Sequence, residues 1–225
     1  TGSLGSSILK LFELSVTSTG LNEKTLKKFA IPYKTAIVTR GHHAGYYPGA
    51  KNMVLKLIFD ENGKIFGAQA VGEAGVDKRI DVIATAIKGN LTVYDLPEIE
   101  ITYAPPYNSA KDPVNIAGYT AENILKGDLE MVNYDEFWDF VKENNAVILD
   151  VRTSKEFSGG AIEGAININV DDLRENLQNL DKNKVYAIYC QVGLRGYLAN
   201  RIMRNNGFRA VNLNGGYNLW AKVNS

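Results

Sequence analysis

The chain is poor in cysteine and histidine. Its 225 residues contain one cysteine, Cys190, and two histidines, the adjacent pair His42 and His43. A single cysteine excludes an intrachain disulfide and fits a reducing compartment, so we expect a cytoplasmic protein. Because no cysteine or further histidine lies near the pair in sequence, we expect no structural zinc site and no other bound metal.

Net charge and long apolar runs are also missing from the sequence. Lysine and arginine together number 25, and so do aspartate and glutamate. Zero formal charge gives no argument for nucleic acid or for an acidic membrane surface as a partner. No apolar run reaches the length of a membrane span, and the first residues lack the basic start and apolar segment of a signal peptide. The length fits one large domain or two ordinary ones.

Residues 1–127 mix strand and helix patterns. Two apolar runs flank an Asn-Gly pair at 62–63 and predict a β-hairpin, which is followed by an apolar pattern of helical period. A second helix is predicted after Asp112, with the aspartate as N-cap, Pro113 at the first helical position and Gly127 at the end. An antiparallel hairpin with helices on one side indicates an α+β fold.

Residues 130–225 alternate short apolar strands with helices. This pattern predicts a parallel sheet covered on both faces. The expected strands and helices lie at 146–149, 165–168, 185–189 and 210–213, and at 171–177 and 196–204. Asn133 and Glu136 resemble a capping box before a further helix that contains Phe137. In such sheets the functional sites lie beyond the carboxyl ends of the strands, where Asp150 and Cys190 stand.

The loop after Cys190 has the composition of an anion-binding cradle. Loop amides and a following helix N-terminus both stabilise a thiolate, the nucleophilic form of cysteine. The candidate loop residues are Gln191, Val192, Gly193, Leu194 and Gly196. Gly193 lets the backbone turn an amide inward. The alternative interpretation is a buried and inert cysteine.

Three charged residues are predicted at this loop, and one of them, Arg195, is a catalytic candidate beside Cys190. Arg195 keeps its charge at any physiological pH and can either brace the loop or hold an anionic donor. Asp150 and Arg152 are predicted to form an ion pair beside the site rather than to act as catalytic groups.

The second domain resembles the rhodanese family. The matching segments are Leu-Asp-Val-Arg at 149–152, Glu-Phe at 156–157, Gly-Ala-Ile-Glu-Gly-Ala-Ile-Asn-Ile at 160–168, Cys-Gln-Val-Gly-Leu-Arg at 190–195 and Leu-Asn-Gly-Gly-Tyr-Asn-Leu-Trp at 213–220. The resemblance implies that Cys190 takes sulfane sulfur from a donor and passes it, as a persulfide, to a thiol acceptor. Related cysteine phosphatases have one more residue between cysteine and arginine, which argues against phosphate chemistry here.

The first domain resembles the dimerisation domain of the flavin-dependent pyridine-nucleotide disulfide reductases, in the coenzyme A-disulfide reductase branch. The matching segments are Val-Thr-Ser-Thr-Gly-Leu-Asn-Glu at 16–23, His-Ala-Gly-Tyr-Tyr-Pro-Gly at 43–49, Val-Asp-Lys-Arg-Ile-Asp-Val at 76–82 and Tyr-Ala-Pro-Pro-Tyr-Asn-Ser-Ala-Lys-Asp-Pro-Val-Asn at 103–115. The resemblance implies a homodimer in which Tyr46 and Tyr103 approach the coenzyme A sulfur of the partner subunit. Tyr47 and Tyr107 are the alternative pair. A phenol can hydrogen-bond or protonate a leaving thiolate, or these tyrosines simply pack at the interface.

The two domains together resemble coenzyme A-disulfide reductases with a C-terminal rhodanese, also described as NADH-dependent persulfide or polysulfide reductases. The resemblance implies FAD, NAD(P)H and coenzyme A in the intact enzyme. No Gly-x-Gly-x-x-Gly segment occurs in this chain. Residues 1–12 are interpreted as the tail of the flavin domain, with Leu4, Ile8, Leu9 and Phe12 on one helical face.

We therefore expect the C-terminal part of a longer enzyme, without its N-terminal FAD and NAD domains. Such a chain would bind no complete flavin or nicotinamide cofactor and would not reduce disulfides by itself. The alternative from another class is a non-catalytic docking or regulatory rhodanese-like module attached to a dimerisation domain.

Overall fold

The computed structural model describes residues 2–224 and divides into two compact units. One unit ends at Leu125 and the other begins at Lys126. Each unit has its own sheet and its own core.

The first unit contains a five-stranded antiparallel sheet. Its strands are β1 (Ser7–Leu11), β2 (Leu14–Gly20), β3 (Lys34–Gly41), β4 (Asn52–Phe59) and β5 (Ile65–Gly72). Their spatial order is β1-β2-β5-β4-β3, so the predicted hairpin, β4 with β5, lies inside the sheet. Gly63 in its turn has φ +86°, a conformation that favours glycine.

The helices of the first unit are α1 (Glu23–Lys28), α2 (Val76–Lys88), α3 (Pro113–Leu125) and a short 3₁₀ helix at Leu96–Glu98. Helices α2, α3 and the 3₁₀ helix pack on one face of this sheet, whereas Glu23 of α1 pairs with Lys56, which points to the other face of β4. Buried side chains of α2 and α3, such as Ile80 and Val114, share one core with Leu55 and Leu57 of β4. Asp112 Oδ1 accepts a hydrogen bond from Val114 N at 2.9 Å, which confirms the predicted helix start. The α+β prediction is therefore confirmed.

The prediction of a helix in the N-terminal segment is wrong. Ser7–Leu11 is strand β1 and pairs antiparallel with β2, so Ile8 and Leu9 point to opposite faces of a sheet rather than along one helical face. Backbone hydrogen bonds to the neighbouring strand β2 stabilise a strand here, although the apolar residues are spaced as in a helix. Phe12 lies in the turn with φ +52°. Thr1, part of the same prediction, lies outside the described residues.

The second unit contains a parallel sheet, as predicted, but the sheet has five strands and not the four that the sequence indicated. Its strands are β6 (Met131–Val132), β7 (Val147–Asp150), β8 (Ile166–Asn167), β9 (Val185–Tyr189) and β10 (Arg209–Leu213), in the spatial order β6-β10-β9-β7-β8. Its helices are α4 (Phe137–Glu143), α5 (Ser154–Ser158), α6 (Leu173–Asn176), α7 (Leu194–Asn205) and α8 (Gly216–Val223), with a 3₁₀ helix at Leu177–Asn179.

Both faces of this sheet are buried. Tyr186 and Ile188 of β9 belong to one core, and Ala187 and Tyr189 of the same strand belong to another. Alternate residues of a strand point to opposite faces of the sheet. The continuous apolar run of β9 is therefore typical of a strand that is covered on both sides.

The predicted capping box at Asn133 and Glu136 is also wrong. The Asn133 side chain donates to Glu136 Oε2 at 3.3 Å instead of capping the helix, and α4 begins only at Phe137. A reciprocal capping box occurs elsewhere, before α5, between Thr153 and Glu156. The helix predicted at 171–177 and the strand predicted at 165–168 are both shorter in the structure.

Candidate active site

Cys190 lies at the carboxyl end of β9, one residue after Tyr189. Its side chain belongs to the core on one sheet face and is 1% exposed. Gly193 N donates a hydrogen bond to Cys190 Sγ at 3.2 Å. Gly193 reaches this position with φ +116°, which a residue with a β-carbon rarely adopts. The loop therefore turns an amide onto the sulfur, the arrangement that stabilises charge on a thiolate or on a persulfide.

The start of α8 holds the backbone of the thiol loop. Tyr217 N donates to Cys190 O at 2.8 Å, and Asn218 N donates to Gln191 O at 3.1 Å. A β-carbon on Gly216 would lie 2.8 Å from Cys190 O and 2.9 Å from Gln191 O. The glycine is thus required by the close approach of two backbones. The sequence motif contained Gly216, but nothing in the sequence indicated this contact.

Asp150 and Arg152 form a buried ion pair behind the loop. Arg152 Nε donates to both carboxylate oxygens at 3.0 Å, and Arg152 Nη2 donates to Asp150 Oδ2 at 2.6 Å. Burial lowers the pKa of Arg152, but the hydrogen bonds and charge of Asp150 outweigh it, so the net pKa is raised. Arg152 Nη1 also donates to Gln191 Oε1 at 3.0 Å. The pair therefore supports the loop through Gln191, whose amide nitrogen donates in turn to Asn218 Oδ1.

Arg195 forms a two-pronged ion pair with Glu156. Its Nη1 donates to Glu156 Oε2 at 2.7 Å and its Nη2 donates to Oε1 at 2.6 Å. These hydrogen bonds lower the pKa of Glu156 to about 2 and raise the pKa of Arg195. Of the two roles left open by the sequence, the structure displays the bracing contact. Glu156 was part of a quoted motif, but its pairing with Arg195 was missed.

The remaining loop residues line the path from the thiol into α7. Val192 is half-buried, and Leu194 is exposed at the first position of the helix. Gly196 is buried, and a β-carbon there would overlap Asn212 Oδ1 of β10. Gly196 therefore contributes close packing of α7 on the sheet rather than a contact with the thiol.

In the first unit the structure brings Tyr46 and Tyr103 together. Their hydroxyls lie 3.2 Å apart, and the side chains are 77% and 50% exposed. The hydrogen bond with Tyr103 raises the pKa of Tyr46. Tyr47 instead packs edge-on against His43, at a centroid distance of 5.7 Å. Tyr107 is exposed.

Arg79 connects the two loops that carry these tyrosines. Its Nη2 donates to His42 O at 2.8 Å and to Asn108 Oδ1 at 2.9 Å, and its Nε donates to Asp112 Oδ2 at 3.0 Å. Arg79 and Asp112 are both buried. In the sequence Arg79 stood out only as a member of a motif, because spacing does not reveal contacts between distant loops.

Residues 2–224 contain neither a candidate metal-binding cluster nor a helix that could span a membrane. They contain no group of three or more histidine, cysteine, aspartate or glutamate side chains that could hold a metal ion. None of their helices is long and apolar enough to cross a membrane.

Family comparisons match both units. Residues 6–113 match the pyridine nucleotide-disulphide oxidoreductase dimerisation domain, and residues 133–223 match the rhodanese-like domain. The coenzyme A disulfide reductase of Staphylococcus aureus (strain bovine RF122 / ET3-1) is 46% identical over 122 residues, which are 54% of this chain and 27% of the relative.

Two solved structures resemble nearly the whole chain. Reduced Bacillus anthracis CoADR-RHD is 50% identical with a TM-score of 0.95, over 98% of this chain and 40% of that one. The NAD-dependent persulfide reductase from A. fulgidus is 37% identical with a TM-score of 0.88, over 97% of this chain and 39% of that one. This chain thus spans well under half the length of these relatives.

The protein therefore joins an oxidoreductase dimerisation domain to a rhodanese-like domain. It is a homologue of coenzyme A disulfide reductase, and its two domains together resemble those of CoADR-RHD.

Proposed function

We propose that the rhodanese-like domain transfers sulfane sulfur through a persulfide on Cys190. The observation that carries this proposal is the hydrogen bond from Gly193 N to Cys190 Sγ at the end of β9. The Cys190 thiolate attacks the outer sulfur of a donor, and the donor's S–S bond breaks as its thiolate or sulfite leaves. The transferred sulfur then carries the negative charge, which inward-turned amides stabilise.

An intact-mass measurement tests this step. The 225-residue chain is incubated with thiosulfate or a small persulfide and should gain one sulfur atom, which cyanide then removes. Cys190 is the only cysteine, so Cys190→Ser is a matched control that should gain none. Failure of the wild-type chain to gain sulfur from either donor would contradict the proposal.

We further propose that the first domain completes the coenzyme A site of a partner subunit in a homodimeric reductase. The pair of exposed hydroxyls of Tyr46 and Tyr103 supports this role, because two phenols that share a hydrogen bond can donate a proton to a leaving thiolate. In the intact enzyme FAD and NAD(P)H would supply the electrons. The relatives named as a coenzyme A disulfide reductase and a persulfide reductase support the same assignment.

The alternative is a docking or regulatory module. The burial of Cys190 favours it, because a thiol that is 1% exposed offers a donor little access in this conformation. Cys190→Ser in the full-length enzyme separates the two functions. Unchanged persulfide turnover would favour the module, whereas loss of turnover would favour sulfur transfer. An aryl phosphate assay tests the weaker phosphatase alternative.

A further inference from the structure

The charged groups around the thiol loop are paired within the domain. Arg195 is held by both carboxylate oxygens of Glu156, and Arg152 is held by the buried Asp150. Each pair has no net charge. With Cys190 as a thiolate, these five side chains together carry one negative charge.

Donors of sulfane sulfur differ in the charge that they bring to this site. Thiosulfate carries two negative charges, whereas a small persulfide anion carries one. In both cases the Cys190 thiolate forms the new S–S bond, and the donor's S–S bond breaks with its electron pair on sulfite or on a thiolate. Since Coulomb energy scales with the product of the charges, excess negative charge opposes thiosulfate twice as strongly as it opposes the persulfide.

The charge of Glu156 is separable from its structural role. Its Oε2 also accepts hydrogen bonds from Thr153 N at 3.0 Å and Thr153 Oγ1 at 2.9 Å, which cap α5. A glutamine fills this position of a capping box equally well. Capping therefore does not require a carboxylate, while cancelling the charge of Arg195 does.

We propose that Glu156 sets the donor preference of this site: by cancelling the charge of Arg195, it disfavours doubly charged donors such as thiosulfate relative to singly charged persulfides. This inference rests on the proposed sulfur transfer through Cys190. Glu156 acts through Arg195 and is a specificity-determining residue rather than a catalytic one. Hydrogen bonds from Arg195 keep the pKa of Glu156 at about 2, so the carboxylate is ionised throughout the neutral range.

The test compares two probes on the 225-residue chain. Rapid quenching and intact mass give the second-order rate constants for loading Cys190 from thiosulfate and from mercaptoethanol persulfide. In Glu156→Gln the ratio of the thiosulfate constant to the persulfide constant should rise about tenfold at low salt, and the gain should shrink as salt screens it.

Two further variants control for fold and for overall charge. Glu156→Asp keeps the charge, so its ratio should stay near the wild-type value even if both rate constants fall. Glu143→Gln removes an exposed carboxylate in the last turn of α4. Helix α4 leads into the amino end of β7, whereas Cys190 follows the carboxyl end of the parallel strand β9, so the two residues lie at opposite ends of these strands. Its ratio should not change.

The possible results distinguish failure of the role proposed for Glu156 from failure of sulfur transfer through Cys190. An unchanged ratio in Glu156→Gln, or an equal rise in Glu143→Gln, overturns the role of Glu156 while leaving sulfur transfer intact. A wild-type chain that takes sulfur from neither donor overturns sulfur transfer and this inference with it.

Discussion

Glu156 serves two parts of the rhodanese-like domain at once. It completes the capping box of α5 with Thr153 and pairs with Arg195 at the start of α7. The capping box follows from a local sequence pattern. The ion pair joins residues 39 positions apart, and no spacing rule connects them.

Acid should weaken the rhodanese-like domain through Glu156. Its pKa of about 2 in the fold is below its ordinary value of 4.5, mainly because Arg195 donates hydrogen bonds to the carboxylate. A group with a lowered pKa contributes stability that is present above the ordinary value and is lost as the pH falls toward the folded value. The free energy of unfolding should therefore decrease between pH 4.5 and about pH 2.

Glu156→Gln should lack this acid-dependent component, which we expect to be about 1 kcal/mol because solvent screens a partly exposed pair. Urea unfolding followed by tryptophan fluorescence measures it, since Trp138 and Trp220 both lie in this domain. Identical pH dependence in the variant and the wild type would count against the assignment.

Gly193→Ala should impair the thiol loop by backbone strain. No atom lies within 4 Å of the position that its β-carbon would take, so the cost comes from φ +116° and not from a clash. We expect a loss of about 1 to 3 kcal/mol in stability and slower sulfur loading of Cys190, because relief of the strain moves the amide away from the sulfur.

Gly207→Ala is the matched control for this prediction. Gly207 has φ +83°, also with no atom within 4 Å, and it lies after the far end of α7. It should lose stability but load sulfur at the wild-type rate. Equal loss of loading in both variants would show that general strain, and not the amide on the sulfur, controls the reaction.

At the scale of elements, the contact between α8 and the thiol loop leaves no room for a side chain at Gly216. Gly216→Ala would place a β-carbon against three backbone atoms of residues 190–192, and φ there is +69°. We expect a loss of about 1 to 3 kcal/mol together with slower sulfur loading, measured by urea unfolding and intact mass.

Gly159→Ala provides the comparison. Its β-carbon would make ordinary contacts at 3.5 and 3.6 Å at the end of α5, so both measurements should stay near wild type. If Gly216→Ala also behaved like the wild type, the close approach of α8 to the loop would not be a constraint in solution.

The regular elements differ in how well the sequence predicted them. Strands β7, β9 and β10 are short, mainly apolar and mostly buried on both faces, so the pattern and the tertiary environment agree. The N-terminal segment shows the opposite case. Apolar residues at helical spacing suggested a helix, but all five residues of β1 are exposed and their backbone pairs with β2. An exposed segment has little buried surface to enforce a helical face, so strand pairing decided its structure.

At the scale of the whole molecule, the two exposed tyrosines are expected to function only in the assembled enzyme. In the proposed full-length reductase, Tyr46→Phe with Tyr103→Phe should lower disulfide or persulfide reduction at least about tenfold, because the proton donors are removed. Steady-state NADH oxidation measures the effect. Tyr94→Phe removes a partly exposed hydroxyl near the hairpin turn and should have no effect. A double variant with full activity would contradict the proposed role.

The chain should also form a homodimer. The match of residues 6–113 to an oxidoreductase dimerisation domain motivates this prediction. Sedimentation equilibrium of the 225-residue chain should give twice its mass of 24.8 kDa. A monomer at high concentration would show that this chain alone does not supply the interface.

The sequence by itself determined the two domains' fold classes and the position of the thiol, because apolar periodicity and the loop after β9 are local properties of the chain. It also contained every residue of the Glu156–Arg195 and Arg79–Asp112 pairs. Only the tertiary structure decided that these residues are partners, that Tyr46 meets Tyr103, and that Gly216 lies against the thiol loop. Contacts between distant segments depend on how elements pack, and a pattern of neighbours along the chain does not encode which elements will meet.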